Sequence, residues 1–347
     1  MGSVMRKLSP RLSAALDVAR SLAATYVVVH HVASARGWSH GLGLIFRFGQ
    51  EAVLVFFLLS GFVIFANERE RALKPSGYYW RRLRRIYPGL IIAMLVSTFV
   101  SLDNGDFLSR FKLSELLYTL LSLQDVGFLK PGVISNPYLG NDPLWSLSYE
   151  VVFYLVFPAV LIAWSRNAAR TGMIVGVVSC LSYVLFVAWP NHASLVATYF
   201  LIWWCGAMAG DAYLRGESNF KAFSPSLCWL SILCGISAVA VEIVGYKGFG
   251  YYPFLQLRHF AIALTMLVAF STPLGAIIAR WCLPLARPAA FWASISYGLY
   301  VLHYPILVDW KRAQTLPGFA LALLILCSLA YLVDRKLNAW LPRAPRD

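Results

Sequence analysis

Ten runs of mostly apolar residues, separated by shorter polar segments, set the pattern of this chain: roughly 16–35, 48–67, 86–102, 144–164, 172–189, 194–213, 226–245, 257–279, 289–309 and 315–333. A helix needs about 20 such residues to cross a bilayer core. The pattern therefore predicts an all-α, polytopic transmembrane helix bundle of about ten spans. With the N-terminus in the cytoplasm, 20 of the 30 Lys and Arg residues fall in cytoplasmic segments, nine fall outside or, for Arg258, at the outer end of a span, and Arg20 lies within the first span. That imbalance follows the positive-inside bias, so both termini are expected to be cytoplasmic. One long outer loop, 103–143, remains. Its apolar stretch Leu113 to Leu123 is too short to span and is expected to lie at the interface or re-enter. Asp142 reads as a helix N-cap, with Pro143 at the first helical position.

Composition agrees with the pattern. Hydrophobic residues make up 59% of the chain, charged residues 13%, and mean hydropathy is +0.64, against about 25% charged in soluble domains. The net charge of +14 does not point to nucleic acid, because the basic residues sit in short segments between apolar runs. Arg6, Lys7 and Arg11, followed by an apolar run ending in Ala33-Ser34-Ala35, look like a signal peptide. Asp17, Arg20, His30 and His31 interrupt that run, so an uncleaved first span is expected. The six cysteines show no metal-ligand spacing and are expected to be buried hydrophobes, with no structural disulfide and no metal. A single membrane domain over 1–347, without an appended soluble domain, is expected.

Ionisable residues inside apolar spans are costly and usually functional. Arg20 and His31 are eleven residues apart, on one face of a helix and about 16 Å apart along it. If the helix rises from about residue 17, Arg20 is near the inner surface and His31 about 21 Å up. His30 points to a different face and reads as structural. At 78–88 the sequence Tyr-Tyr-Trp-Arg-Arg-Leu-Arg-Arg-Ile-Tyr-Pro places Arg82 and Arg85, and likewise Arg81 and Arg84, three apart on a helix entering the membrane. Such a cluster at a helix N-terminus suits a polyphosphate, with a topology-setting basic loop as the plainer reading. In Trp145-Ser146-Leu147-Ser148-Tyr149-Glu150, the carboxylate of Glu150 must be paired or lie in a wet cavity, and Ser146 and Tyr154 share its face. Ser296, Tyr300 and His303 share one face of a helix rising from about residue 289, which puts His303 about 21 Å up. His31, His303 and Glu150 are thereby expected at a common depth, around one polar cavity with basic residues at its mouth.

Taken together and in order, these segments resemble the acyltransferase-3 family of membrane acyltransferases. The elements are Arg20-x10-His31, the stretch Val55 to Ile64, Arg-Arg-x-x-Arg-Ile-x-Pro at 81–88, Trp145 to Glu150, and Ser296 to Pro305. Many members carry an Asp just before the paired Phe, where this chain has Leu54, with Gln50 and Glu51 upstream. The resemblance implies transfer of an acyl group, usually acetyl, from cytoplasmic acyl-CoA to a hydroxyl, often on an extracytoplasmic glycan or lipid-linked acceptor. Under that reading Arg81, Arg82 and Arg85 hold the CoA phosphates and the pantetheine arm passes Arg20. His31 is then the general base, Glu150 orients it or binds acceptor hydroxyls, and Tyr300 or His303 stabilises the oxyanion. A covalent acyl-histidine is the less favoured route. The expected location is a bacterial inner membrane. The alternative is a carrier or flippase for a lipid-linked or small sugar, with the same residues lining its path.

Overall fold

The computed structural model describes residues 8–38, 41–69, 75–217 and 219–342. Among them, nine helices are long and apolar enough to cross a membrane, and a tenth span is a bent pair. The chain is a multi-pass integral membrane protein. Its main helices are α1 (Pro10–Ala35), α2 (Gly49–Glu68), α3 (Pro75–Asn104), the short α4 (Leu113–Leu120), α5 (Trp145–Arg166), α6 (Ala168–Ala188), α7 (His192–Arg215), α8 (Phe220–Val244) and α9 (Phe254–Ser271). The short α10 (Pro273–Cys282) and α11 (Ala286–Ser294) precede α12 (Ser296–His303) and α13 (Leu316–Tyr331).

Three expectations about these elements are corrected. First, α1 starts at Pro10, where Ser9 Oγ accepts the Leu12 N–H at 3.2 Å. Arg20 is thus about 15 Å along the helix rather than at its start. Second, 257–279 is not one helix: α9 stops at Ser271, where Thr272 is extended and Pro273 begins a new segment. Third, 289–309 is not straight. The chain leaves helical geometry at Ile295 and turns through 51°, so His303 lies two turns beyond a break and not at the end of a continuous rise. The break exposes the first N–H groups of α12, which have no intrahelical acceptors. Asp334, in a widened π-type turn at Leu332–Leu337, supplies one by accepting the Gly298 N–H at 2.8 Å.

Helix α2 packs along α7 more closely than side chains allow. A Cβ on Gly61 would sit 2.0 Å from the Trp203 carbonyl oxygen, and one on Gly206 would sit 2.1 Å from that of Leu58. Gly206 and Gly210 form the Gly-x-x-x-Gly spacing that lets membrane helices approach backbone to backbone. This contact places Ser60 against Trp203, whose Nε1–H donates to Ser60 Oγ at 3.2 Å. Gly206→Ala is expected to force α2 and α7 apart. Overpacking of this kind costs about 1–3 kcal/mol, and a thermal melt in detergent should show a lowered transition; an unchanged melt would mean that the contact is soft.

Part of the segment 121–144 packs into the bundle. Gln124 Nε2 donates to the Leu144 carbonyl at 2.7 Å, and Asn141 Nδ2 to that of Val301 at 3.1 Å. Its centre is a buried charge pair, Lys130 Nζ to Asp125 Oδ1 at 2.8 Å. Tyr149 donates to Asp125 Oδ2 at 2.7 Å, and Lys130 lies 4.1 Å from the Trp145 ring centroid. Burial works against the Asp125 carboxylate, but Lys130 and His192 beside it outweigh that and hold its pKa below the usual range. Asp142 does not cap α5: its side chain makes no capping hydrogen bond, because Asp142–Leu144 form a separate 3-10 turn before the helix.

Candidate functional site

Two polar cavities lie in series in the bundle. The first, about 450 Å³, reaches from the face carrying Arg81–Arg85 and is lined by Arg20, Ser60, Arg82, Arg85, Glu150 and Tyr300, among others. The second, about 280 Å³, includes His30, His31, Glu51, Arg258, Tyr300 and Tyr304 in its lining. Val53 and Tyr300 belong to both walls. Helix α1 passes both, presenting Arg20 to the first and His31 to the second.

The arginines line the first cavity, but not at a helix N-terminus. Helix α3 begins at Pro75, so Arg81 to Arg85 lie in its second and third turns, beyond the reach of the helix dipole. Their charge comes with built-in counterions. Arg81 Nη2 and Arg82 Nη2 reach Glu68 at 2.8 and 3.0 Å, and Arg85 Nη1 reaches Asp334 Oδ1 at 3.0 Å. Arg82 also lies over the Tyr154 ring and Arg85 over that of Tyr297.

Deeper in the same cavity, Glu150 accepts a hydrogen bond from Ser60 Oγ at 3.0 Å and another from the Tyr154 hydroxyl. Ser146 Oγ lies 2.8 Å from Tyr300 Oη, and the Tyr300 hydroxyl donates to the Pro143 carbonyl. In this arrangement the single Tyr300 proton is committed to Pro143, so Ser146 is the donor to Tyr300.

Across Tyr300, the His31 ring lies 5.3 Å from that of His303 and 5.3 Å from that of Tyr304, measured between centroids. His303 Nδ1 is 2.7 Å from the Tyr300 carbonyl and 3.1 Å from that of Leu299. Two carbonyl acceptors require that Nδ1 carry the proton, which leaves Nε2 a lone-pair acceptor. Nε2 is buried and has no partner among the described residues. His30 lines the same cavity as His31, and its Nδ1 bonds the Phe46 carbonyl, holding the segment before α2.

The expected single polar layer is therefore two compartments. His31 and His303 do come together, whereas Glu150 faces the arginine-lined cavity, on the other side of Tyr300. The bend at Ile295 and the rotation of α5 decide this, and neither is visible in helix rise alone. The sequence reading also missed the buried pair Glu51 and Arg258, 3% and 9% exposed, whose side chains touch through Oε1 and Nη2. Charged residues inside apolar runs were the available signal, the same one that marks Arg20.

Fold and site together define a multi-pass integral membrane protein with an arginine-lined compartment backed by a histidine-lined one. The acyltransferase-3 family model, described as an acyltransferase domain, matches residues 13–333, and the chain belongs to that family. It is 25% identical to nodulation protein 10 of Rhizobium leguminosarum bv. viciae over 330 residues, covering 85% of this chain and 84% of the relative. It is also 25% identical over 332 residues to the O-acetyltransferase OatA of Staphylococcus aureus (strain NCTC 8325 / PS 47), covering 86% of this chain but 51% of that protein. The chain thus spans about half the length of OatA. No solved structure matches it.

Proposed function

We propose that the protein is an O-acyltransferase that moves an acyl group, acetyl in the simplest case, from acyl-CoA to a hydroxyl of a glycan or lipid-linked glycan precursor. The observation that carries this reading is the pair of cavities meeting at Tyr300, one lined by arginines and the other by histidines. With the basic face toward the cytoplasm, CoA phosphates exchange with Glu68 and Asp334 for Arg81, Arg82 and Arg85, since guanidinium groups bind phosphate bidentately. The pantetheine arm runs past Arg20 toward Tyr300, and the thioester carbonyl arrives beside the wall shared with His31.

The acceptor hydroxyl occupies the second cavity. His31 takes its proton as the oxygen bonds to the thioester carbonyl carbon. The carbon–sulfur bond then breaks, and the CoA thiolate leaves with the proton. His303, anchored through Nδ1–H, packs its ring 5.3 Å from that of His31 and holds it in place by contact. Glu150 holds Ser60 and Tyr154 along the path of the acyl arm. Support for oxygen as the acceptor atom comes from the name of the staphylococcal relative, an O-acetyltransferase.

Protein purified in detergent and given radiolabelled acetyl-CoA should release free CoA, faster when a hydroxylated acceptor is added. A carrier would bind ligands without thioester turnover, and that result would overturn the reading.

A further inference from the structure

The second cavity holds polar groups that proton transfer does not use. Glu51 stands in the first turn of α2 and Arg258 in the second turn of α9, so two helices far apart in sequence contribute to one wall. Arg258 contacts Glu51 Oε1, donates to the Phe249 carbonyl and stacks 3.5 Å from the centroid of the Phe249 ring. Glu51 Oε2 and the neighbouring Gln50 Oε1 are buried acceptors, and Arg258 Nε a buried donor, with no hydrogen-bond partner among the described residues. Gly49 allows this packing, since a Cβ there would sit 2.2 Å from the His30 ring.

A buried ion pair is a poor device for stability, because desolvation offsets the attraction and apolar residues of the same size serve as well or better. Acceptors left without donors are costlier still. Both costs fall when a ligand supplies O–H groups. The cavity volume of about 280 Å³ equals roughly nine waters at about 30 Å³ each, which is room for one hydroxylated ring. The volume, the unpartnered polar groups and the adjacent His31 all fit the same occupant.

We infer that Glu51 and Gln50, with Arg258 holding the Glu51 carboxylate in place, form the subsite that recognises the acceptor: a pyranoside ring whose non-reacting hydroxyls donate to Glu51 and Gln50 while another hydroxyl reaches His31. This rests on the acyltransferase reading above and names the class and subsite of its acceptor. Arg258 is a positioning residue that acts through Glu51.

The test uses the full-length protein in detergent and a panel of methyl glucoside, methyl galactoside and N-acetylglucosamine. Saturation-transfer NMR without CoA reads sugar binding, and release of CoA from acetyl-CoA, with and without sugar, reads chemistry. Wild type should bind at least one sugar. Glu51→Gln, which turns an acceptor into a partial donor of the same shape, should weaken that binding at least tenfold and raise the acceptor KM equally. Equilibrium binding of CoA, which the other cavity takes, should stay within twofold and reports an intact fold. Glu51→Asp should recover part of the binding, which a merely structural pair would not require.

The inference is overturned if no panel sugar binds wild type, if Glu51→Gln binds as well as wild type, or if it loses sugar binding and CoA binding alike. Sugar binding that depends on Glu51 in a protein with no thioester turnover would instead leave the subsite standing and sink the acyl-transfer reading.

Discussion

His31→Ala should lower acyl transfer by about 10²–10⁴-fold, the contribution usual for a positioned general base, while leaving CoA affinity within twofold of wild type. The split follows from the two compartments. His31 lines the cavity beyond Tyr300, whereas the arginines and Arg20 line the one before it. Without the imidazole, the acceptor hydroxyl must attack while still carrying its proton, and the barrier rises at that step alone. Rates of CoA release and equilibrium binding of CoA, measured on the same preparation, check both halves. A variant that transfers at the wild-type rate ends the base assignment. One that loses CoA binding as well places His31 in the donor site and merges the two compartments.

Arg82→Ala/Arg85→Ala should weaken CoA binding by roughly 100-fold or more. Each hydrogen bond to a charged group contributes about 1.5–3 kcal/mol, and two guanidinium groups are removed at once. The resting pairs moderate and then reinforce the effect. In wild type, phosphate must compete with Glu68 and Asp334, so part of the gain is spent on exchange. In the double variant Asp334 loses its arginine while its side chain remains fully buried, and Glu68 keeps only Arg81. Both carboxylates then repel incoming phosphate. Some loss of thermal stability should accompany the loss of affinity. Arg82→Lys/Arg85→Lys separates the two effects, because it keeps the charge and gives up the bidentate geometry. Unchanged CoA affinity in the alanine pair refutes the phosphate clamp.

Nearly all of the spans were legible in the sequence, because crossing a bilayer imposes a length and a hydropathy that each segment must meet by itself. The errors fell at Thr272-Pro273 and at Ile295, where an apolar run continues but the helix does not. Hydropathy cannot see those breaks, since residues on either side are equally apolar. At 121–144 a polar segment carries no hydropathy signal, and its place inside the bundle depends on the Asp125–Lys130 pair and on Gln124, residues that alone read as surface loop.

The candidate site divides in the same way. Arg20 and His31 share a face because helix rise and period are local properties of the backbone, and the order of the motifs along the chain was enough to point to the acyltransferase-3 family. Tertiary structure alone decided that Glu150 and His31 face different cavities, that the clamp arginines rest on Glu68 and Asp334, and that Glu51 meets Arg258 across more than two hundred residues of chain. These depend on the rotation and tilt of whole helices, set by backbone contacts such as Gly61 and Gly206 and by the bend before α12. Periodicity fixes which residues of one helix lie together. Which helix they meet is a property of the packed bundle, and no single segment carries it.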